Sequence, residues 1–97
     1  MPTYISLLNW TDQGAQTVRD TLERSERAAE MAQKHGANLE QVYWTVGPYD
    51  IVGVFEAPDD DSVTAFLLEL SSAGNLRTTT LRAYNREEMS SILGRLG

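Results

Sequence analysis

The 97-residue chain contains no cysteine, which excludes disulfides, thiol nucleophiles, zinc ribbons and iron–sulfur sites. Its one histidine, His35, excludes a multi-histidine metal centre. No apolar stretch approaches the roughly 20 residues that span a bilayer, and the first residues lack the layout of a signal peptide. The sequence therefore predicts a cytoplasmic protein that uses no metal and no cofactor.

Positive charge is also scarce, since 8 lysines and arginines face 14 acidic residues, for a net charge of −6. Nucleic acids and anionic membrane surfaces attract cations, so this balance argues against both as partners. Arg77 and Arg82 are too few to form a basic footprint. The 41% apolar and 23% charged residues are typical of a globular protein. The length predicts a single domain over residues 1–97.

The pattern of apolar, capping and turn residues predicts alternating strands and helices. Their order, β-α-β-β-α-β with an extra C-terminal helix, predicts an α+β, ferredoxin-like fold with a four-stranded antiparallel sheet. The expected strands are 4–10, 39–46, 51–57 and 75–84, and the expected helices run from Thr11 or Asp12 to about His35, from Asp59 to about Ala73, and from Arg86 to Leu96.

Each expected helix carries one apolar side, and Gly36 follows the first helix as a residue able to take positive φ. Met31 and Leu68 lie off these stripes, as scattered surface residues or as contacts in a larger assembly. The stripes are Ala15, Val18, Leu22, Ser25, Ala29 and Ala32 in the first helix, Val63, Phe66, Leu67 and Leu70 in the second, and Met89, Ile92, Leu93 and Leu96 in the third.

The strands look apolar on both faces, although in this fold both long helices cover only one face of the sheet. A solvated face should alternate polar and apolar residues, whereas Ile51–Phe55 is apolar throughout. Full burial of one such side chain is worth about 1.5–3 kcal/mol. A second copy of the sheet, related by twofold symmetry, is therefore the expected cover.

Several segments in order resemble the GYD domain family. Gly47, Tyr49 and Asp50 match its Gly-x-Tyr-Asp signature, and residues 4–11, 43–45, 56–59 and 74–80 are similar to the flanking segments. The resemblance covers nearly the whole chain. It implies a dimeric α+β barrel, in which two sheets face each other, but no chemistry, because the family has no established general function.

The residues of the signature allow two interpretations. In one, Gly47-Pro48-Tyr49-Asp50 is a hairpin turn in which Asp50 bonds turn amides. In the other, Asp50 is a general base or ligand acceptor and Tyr49 a donor at the mouth of a cavity.

Other residues also allow two interpretations. Tyr43, Trp10, Thr78 and Thr80 would join Tyr49 and Asp50 in lining a small-molecule cavity, or they serve core and dimer packing. His35 suits a helix C-terminus more than proton transfer, and Asp59-Asp60-Asp61 is explained by helix capping rather than by a cation site.

Two functions follow. The first is a homo-oligomeric small-molecule-binding or assembly module, a homodimer or a multiple of dimers. The alternative, by analogy of fold alone, is a cofactor-independent monooxygenase- or isomerase-like enzyme acting on a small aromatic or lactone substrate. The sequence does not decide whether the protein is an enzyme.

Overall fold

The computed structural model describes residues 1–97. Its four strands form one antiparallel sheet in the order β2-β3-β1-β4, which confirms the expected α+β, ferredoxin-like fold. The strands are β1 (Thr3–Trp10), β2 (Asn38–Trp44), β3 (Ile51–Glu56) and β4 (Leu76–Ala83), and the helices are α1 (Asp12–Gln16), α2 (Thr21–Lys34), α3 (Asp60–Ser72) and α4 (Arg86–Leu93), with a 3-10 turn at Val18–Asp20.

The sheet has one face under α2 and α3 and one face that no element covers. Along β1, Tyr4, Ser6 and Leu8 are buried while the residues between them are only half-buried. β3 repeats this alternation. Because successive side chains of a strand point to opposite faces, the buried set defines the covered face, and the other set defines what we call the open face.

The core is small and aromatic, since only 12 of the 97 residues are buried. Phe55, 1% exposed, stacks on the Tyr4 ring at a centroid distance of 5.7 Å and meets the Phe66 ring edge-on at 5.5 Å. Val63 and Ala32 complete this cluster from α3 and α2. A core of this size places much of the stability of the fold on a few side chains.

The single helix expected from Thr11 or Asp12 to His35 is wrong, because the chain breaks at Thr17 into α1, the 3-10 turn and α2. The Arg24 guanidinium stabilises the break by donating to the carbonyls of Gly14 and Thr17, at 3.2 and 2.9 Å. The Thr17 hydroxyl also donates to the Gln13 carbonyl, a local bond that competes with helix continuation.

The break also corrects the apolar stripe expected on this helix. Ala15, Val18 and Leu22 are exposed, and only Ala32 of the six stripe residues is buried. The phase of the stripe assumed one uninterrupted helix, so it failed for Ala15 in α1, for Val18 in the 3-10 turn and for Leu22 in the first turn of α2. The stripe expected on α3 is correct, with Val63 and Phe66 buried and Leu67 and Leu70 packed against the core.

Gly14 is buried where α1 meets the start of β4. A Cβ atom at this position would lie 2.1 Å from the Asn75 carbonyl oxygen. The same oxygen accepts a hydrogen bond from the Thr11 amide at 3.1 Å. Gly14 is therefore required for close approach of two backbone segments. Gly36 adopts φ 77° after α2, as expected.

Two ends differ from expectation. β2 stops at Trp44, and the Thr45 amide closes the following loop by donating to the Asp50 carbonyl at 2.8 Å. Val46 lies in this loop and is fully exposed rather than on a face of the strand. α4 ends at Leu93 because Gly94 follows, although the next residues continue the turn with hydrogen bonds from Arg95 and Leu96. None of the helices combines the length and apolar character needed to cross a membrane.

Candidate functional site

The Gly47–Asp50 loop is anchored to the end of β1. The Asp50 carboxylate accepts a hydrogen bond from the Trp10 amide at 2.9 Å, and the Asp50 amide donates to the Leu8 carbonyl at 2.9 Å. The Asn9 side chain donates to the Pro48 carbonyl at 2.8 Å. Gly47, with φ 144°, supplies the turn. This geometry assigns the Asp50 carboxylate to a backbone amide of the neighbouring strand, not to its own turn.

We expect Asp50→Ala to lower the free energy of unfolding by about 1–2 kcal/mol, because the Trp10 amide would lose a charged acceptor in a half-buried position. Asp50→Asn keeps an acceptor oxygen and should cost less than half as much. Thermal unfolding of the three proteins measures the difference. An unchanged midpoint for the alanine variant would contradict a structural role for this carboxylate.

The other expected ligand residues do not meet at one pocket. Tyr43 lies on the open face and is 53% exposed, with its hydroxyl donating to Gln41 at 2.7 Å. Trp10 and Thr78 border a shallow polar depression at the sheet edge. Thr80 lies on the covered face, where its hydroxyl is 2.8 Å from that of Ser6. The aromatic and hydroxyl groups are thus divided between the two faces of the sheet.

A cavity of about 60 Å³ lies on the covered face, between the sheet and the helices α2 and α3. Ser6 and Gly53, directly opposite each other on β1 and β3, face the small residues Ser25 and Ala28 across it. Small side chains in both layers leave the space unfilled. Of the expected ligand residues only Trp10 lines this cavity. Sequence reasoning missed it, although the small residues of α2 were the available signal.

The open face carries a continuous apolar patch at its centre. Ile5 lies opposite Val54, and Leu7 opposite Val52, on the two central strands. Leu81, 47% exposed, extends the patch onto β4. Leu81 was not singled out from sequence, although its position two residues beyond Thr79 places both on the same face. Apart from Tyr43, none of the expected ligand residues lies in this patch.

Charges occupy two opposite corners of the open face. Glu56, at the end of β3, lies close to Glu40, which is at an irregularity in β2. Arg77 lies diagonally across the sheet, beside Asn9. Loss of hydration and then the charge of Glu56 raise the pKa of Glu40. The open face therefore has an acidic corner and a basic corner around an apolar centre.

Glu40→Gln should stabilise the fold at pH 7. Because folding raises the pKa of Glu40, the native state favours the protonated carboxyl. The contribution of Glu40 to stability is therefore fully present below its unfolded pKa of about 4.3 and is lost as the pH rises through its pKa in the folded chain. Glutamine removes the ionisation and keeps a donor toward Glu56. At a protein concentration low enough for the chain to be monomeric, we expect a higher melting temperature than wild type at pH 7, and no difference at pH 3.5.

Glu26→Gln, on the exposed side of α2, serves as the matched control for this prediction. A melting temperature of Glu40→Gln that exceeds wild type equally at both pH values would contradict a charge-based explanation.

The remaining charged candidates connect elements of the fold. His35, at the end of α2, lies 2.8 Å from the Glu69 carboxylate of α3, and Lys34 lies 3.2 Å from it. The hydrogen bonds from His35 and then Lys34 lower the pKa of Glu69. Asp59 caps α3 by accepting from the Ser62 amide at 2.8 Å, which confirms the capping interpretation. The Tyr4 hydroxyl donates to Asp60 at 2.6 Å, and this bond raises the pKa of Tyr4.

Comparisons with known proteins find relatives in sequence and solved structures of similar fold. A relative from Thermus thermophilus, named a glutamine synthetase and cystathionine beta-lyase binding protein, is 40% identical over 86% of this chain and 88% of its own length. A Thermus thermophilus protein of known structure is 24% identical, with a TM-score of 0.56, and its match covers 89% of this chain and 100% of its own.

The feast or famine regulatory protein of M. tuberculosis, solved with L-methionine, shares the fold with a TM-score of 0.67 at 16% identity. The match covers 88% of this chain but only 51% of that protein, so this chain spans about half its length. The profile of the GYD domain family matches residues 4–93. With nearly the whole chain matched and the signature loop Gly47–Asp50 fixed between β2 and β3, this chain belongs to the GYD domain family.

Proposed function

We propose that this protein is a homo-oligomeric binding module that pairs through its open face and binds a metabolic enzyme. The observation that carries the proposal is the apolar patch of Ile5, Leu7, Val52, Val54 and Leu81, which no element of the chain covers. Apolar burial at about 25 cal/mol per Å² favours covering such a patch. A twofold axis lets one self-complementary surface cover both copies.

The corner charges favour a second copy of the chain as the cover. The sheet has a second diagonal, which joins the two corners that do not carry these charges. A twofold axis along this second diagonal sets the Glu40–Glu56 corner of one copy over the Arg77 corner of the other. Each copy then contributes one acidic and one basic corner, so the interface is matched twice. Opposite charges across an interface set its register and suppress wrong partners more than they add affinity.

An enzyme as the further partner is proposed by analogy with the Thermus thermophilus relative, whose name states that it binds glutamine synthetase and cystathionine beta-lyase. At 40% identity the two chains share a family, and glutamine synthetase is the first partner to test. The net charge of −6 favours a partner surface of positive charge.

Sedimentation equilibrium and biolayer interferometry test the two parts separately. We expect the purified chain to sediment as a dimer or a multiple of dimers at micromolar concentration. We also expect it to bind purified glutamine synthetase of the same organism, and not serum albumin of similar acidity. A monomer at every concentration overturns the pairing, and absence of binding to the enzyme overturns the proposed partner.

The cavity between the sheet and α2 and α3 favours a second candidate function, the binding of a small apolar molecule. Its volume of about 60 Å³ is well below the roughly 150 Å³ of an engineered cavity that holds benzene, so the ligand would have few carbon atoms. Native mass spectrometry should show a retained mass that Ala28→Leu, which fills the cavity, removes. Ala29→Leu, outside the lining, is the control, and a wild-type spectrum without added mass contradicts this function.

No arrangement of the candidate residues favours the alternative function, an enzyme. Trp10, Tyr43 and Asp50 do not line a common cavity, and the Asp50 carboxylate is already bonded to a backbone amide. The geometry therefore supports a binding module better than a catalyst.

A further inference from the structure

The C-terminal helix α4 is well formed, yet none of its residues is buried. Its apolar side consists of Met89, Ile92 and Leu93 and continues to Leu96 through the turn after the helix. These four side chains are between 37% and 70% exposed. An apolar helix side of this extent, uncovered by its own chain, needs a partner surface.

The direction of α4 is fixed at its start. Asn85 and Glu88 form a reciprocal capping box, in which each side chain accepts from the backbone amide of the other, at 2.8 and 3.0 Å. The Arg82 guanidinium lies 3.7 Å from Glu88 and 4.4 Å from the centre of the Tyr84 ring. These contacts hold α4 to the last residues of β4, an edge strand of the sheet. The helix is therefore a fixed projection from the side of the sheet and not a free tail.

Helices of eight residues are marginal in water on their own, because few hydrogen bonds offset the cost of nucleation. The capping box stabilises only the first turn, and the apolar side stays without a buried residue. A partner that buries this side would supply what the helix lacks.

The size of the open face points to a second copy of this chain as that partner. Four strands spaced about 4.8 Å apart, with six to eight residues of about 3.3 Å each, give a flat face of roughly 400–500 Å². A stable interface buries about 800 Å² per partner. In a twofold pair each copy contributes its own α4 and receives the α4 of the other, so the helix adds buried area twice.

We propose that α4 is an arm that packs its apolar side on a second copy of the chain and so extends the sheet-to-sheet interface. This inference rests on the proposed pairing through the open face. α4 follows the end of edge strand β4, so its apolar side lies beyond the area of its own sheet and is available to a second copy.

Ile92→Glu and Ser91→Glu form a matched pair, since each adds one negative charge to the same turn of α4, on the apolar and on the opposite side. Neither residue is buried, so both variants should keep the circular dichroism spectrum of wild type. In sedimentation equilibrium, Ile92→Glu should raise the dissociation constant of the oligomer at least tenfold, and Ser91→Glu should leave it within twofold. If both variants associate as strongly as wild type, α4 does not pack on the second copy, while the proposed pairing through the open face still stands.

The absence of native cysteine allows a direct test of which surface α4 contacts. Single-cysteine variants Leu93→Cys and Ser91→Cys are labelled with the polarity-sensitive dye acrylodan in the full chain. We expect a blue shift of the emission at position 93 that grows with protein concentration over the range in which sedimentation shows association, and no shift at position 91.

Three other results would overturn the proposal. A blue shift at position 93 that is independent of concentration would mean that α4 folds onto its own chain. Emission typical of water throughout the association range would mean that α4 stays free in the oligomer, open to a different protein. A wild-type chain that remains a monomer would contradict both proposals, the pairing through the open face and the packing of α4 on a second copy.

Discussion

Replacing Leu7 by glutamate should convert the proposed oligomer into folded monomers. Leu7 lies at the centre of the open face, between Val52 on β3 and Thr79 on β4. In the proposed pair its side chain is buried against the second copy, where an unpaired carboxylate costs about 3–5 kcal/mol. Twofold symmetry places two such charges in every dimer, so the dissociation constant should rise at least 100-fold.

The fold itself should tolerate this change, because in the single chain the residue lies on the face away from the aromatic core. Sedimentation equilibrium measures the association and circular dichroism the fold. Leu68→Glu is the matched control, since it makes the same chemical change at a 67% exposed position on α3. Wild-type association of the Leu7 variant would show that the open face is not the pairing surface.

Replacing Phe55 by alanine should have the largest effect on stability, a loss of about 3–5 kcal/mol. The ring contacts both Tyr4 and Phe66, so the substitution removes two aromatic contacts and leaves a cavity at the centre of the core. Domains of this size are stable by only about 5–15 kcal/mol. The variant should therefore be close to unfolded at 37 °C.

Urea denaturation measures this loss. With a slope of about 1–3 kcal/mol per M, the midpoint should fall by roughly 2 M. Because association stabilises the folded state in a concentration-dependent way, wild type and variant must be compared at one protein concentration. Leu22→Ala, at a 63% exposed position on α2, should move the midpoint little. A Phe55→Ala protein as stable as this control would mean that the aromatic cluster does not dominate the core.

The two largest effects fall on opposite faces of the same sheet, and the sequence predicted that both faces are apolar. Tyr4 and Phe55 share the face turned toward the helices, and Leu7 and Val52 share the other. Period-two alternation is a local property of a strand, so it separates the two sets of residues within each strand, whereas the pairing register decides which sets share a face. The prediction that the second face needs a cover came from the same pattern.

The candidate site was harder to predict because it depends on distances between segments far apart in sequence. Asp50 was assigned to its own turn or to catalysis, whereas its carboxylate meets the Trp10 amide, 40 residues away in the chain. Tyr43 and Thr80 were grouped by residue type, yet the register places them on opposite faces. No local pattern distinguishes an aromatic residue that lines a cavity from one that lies on an open sheet.

The sequence by itself determined the order of the strands and helices, the cap Asp59, the positive φ of Gly36 and the two-sided sheet, because each of these follows from side chains within a few residues. Only the tertiary structure decided the close approach of Gly14 to the Asn75 carbonyl. It also decided the cavity beneath Ser25 and Ala28 and the exposed position of α4. These features depend on how layers pack and which surfaces stay uncovered, and that information is not local to any segment of the chain.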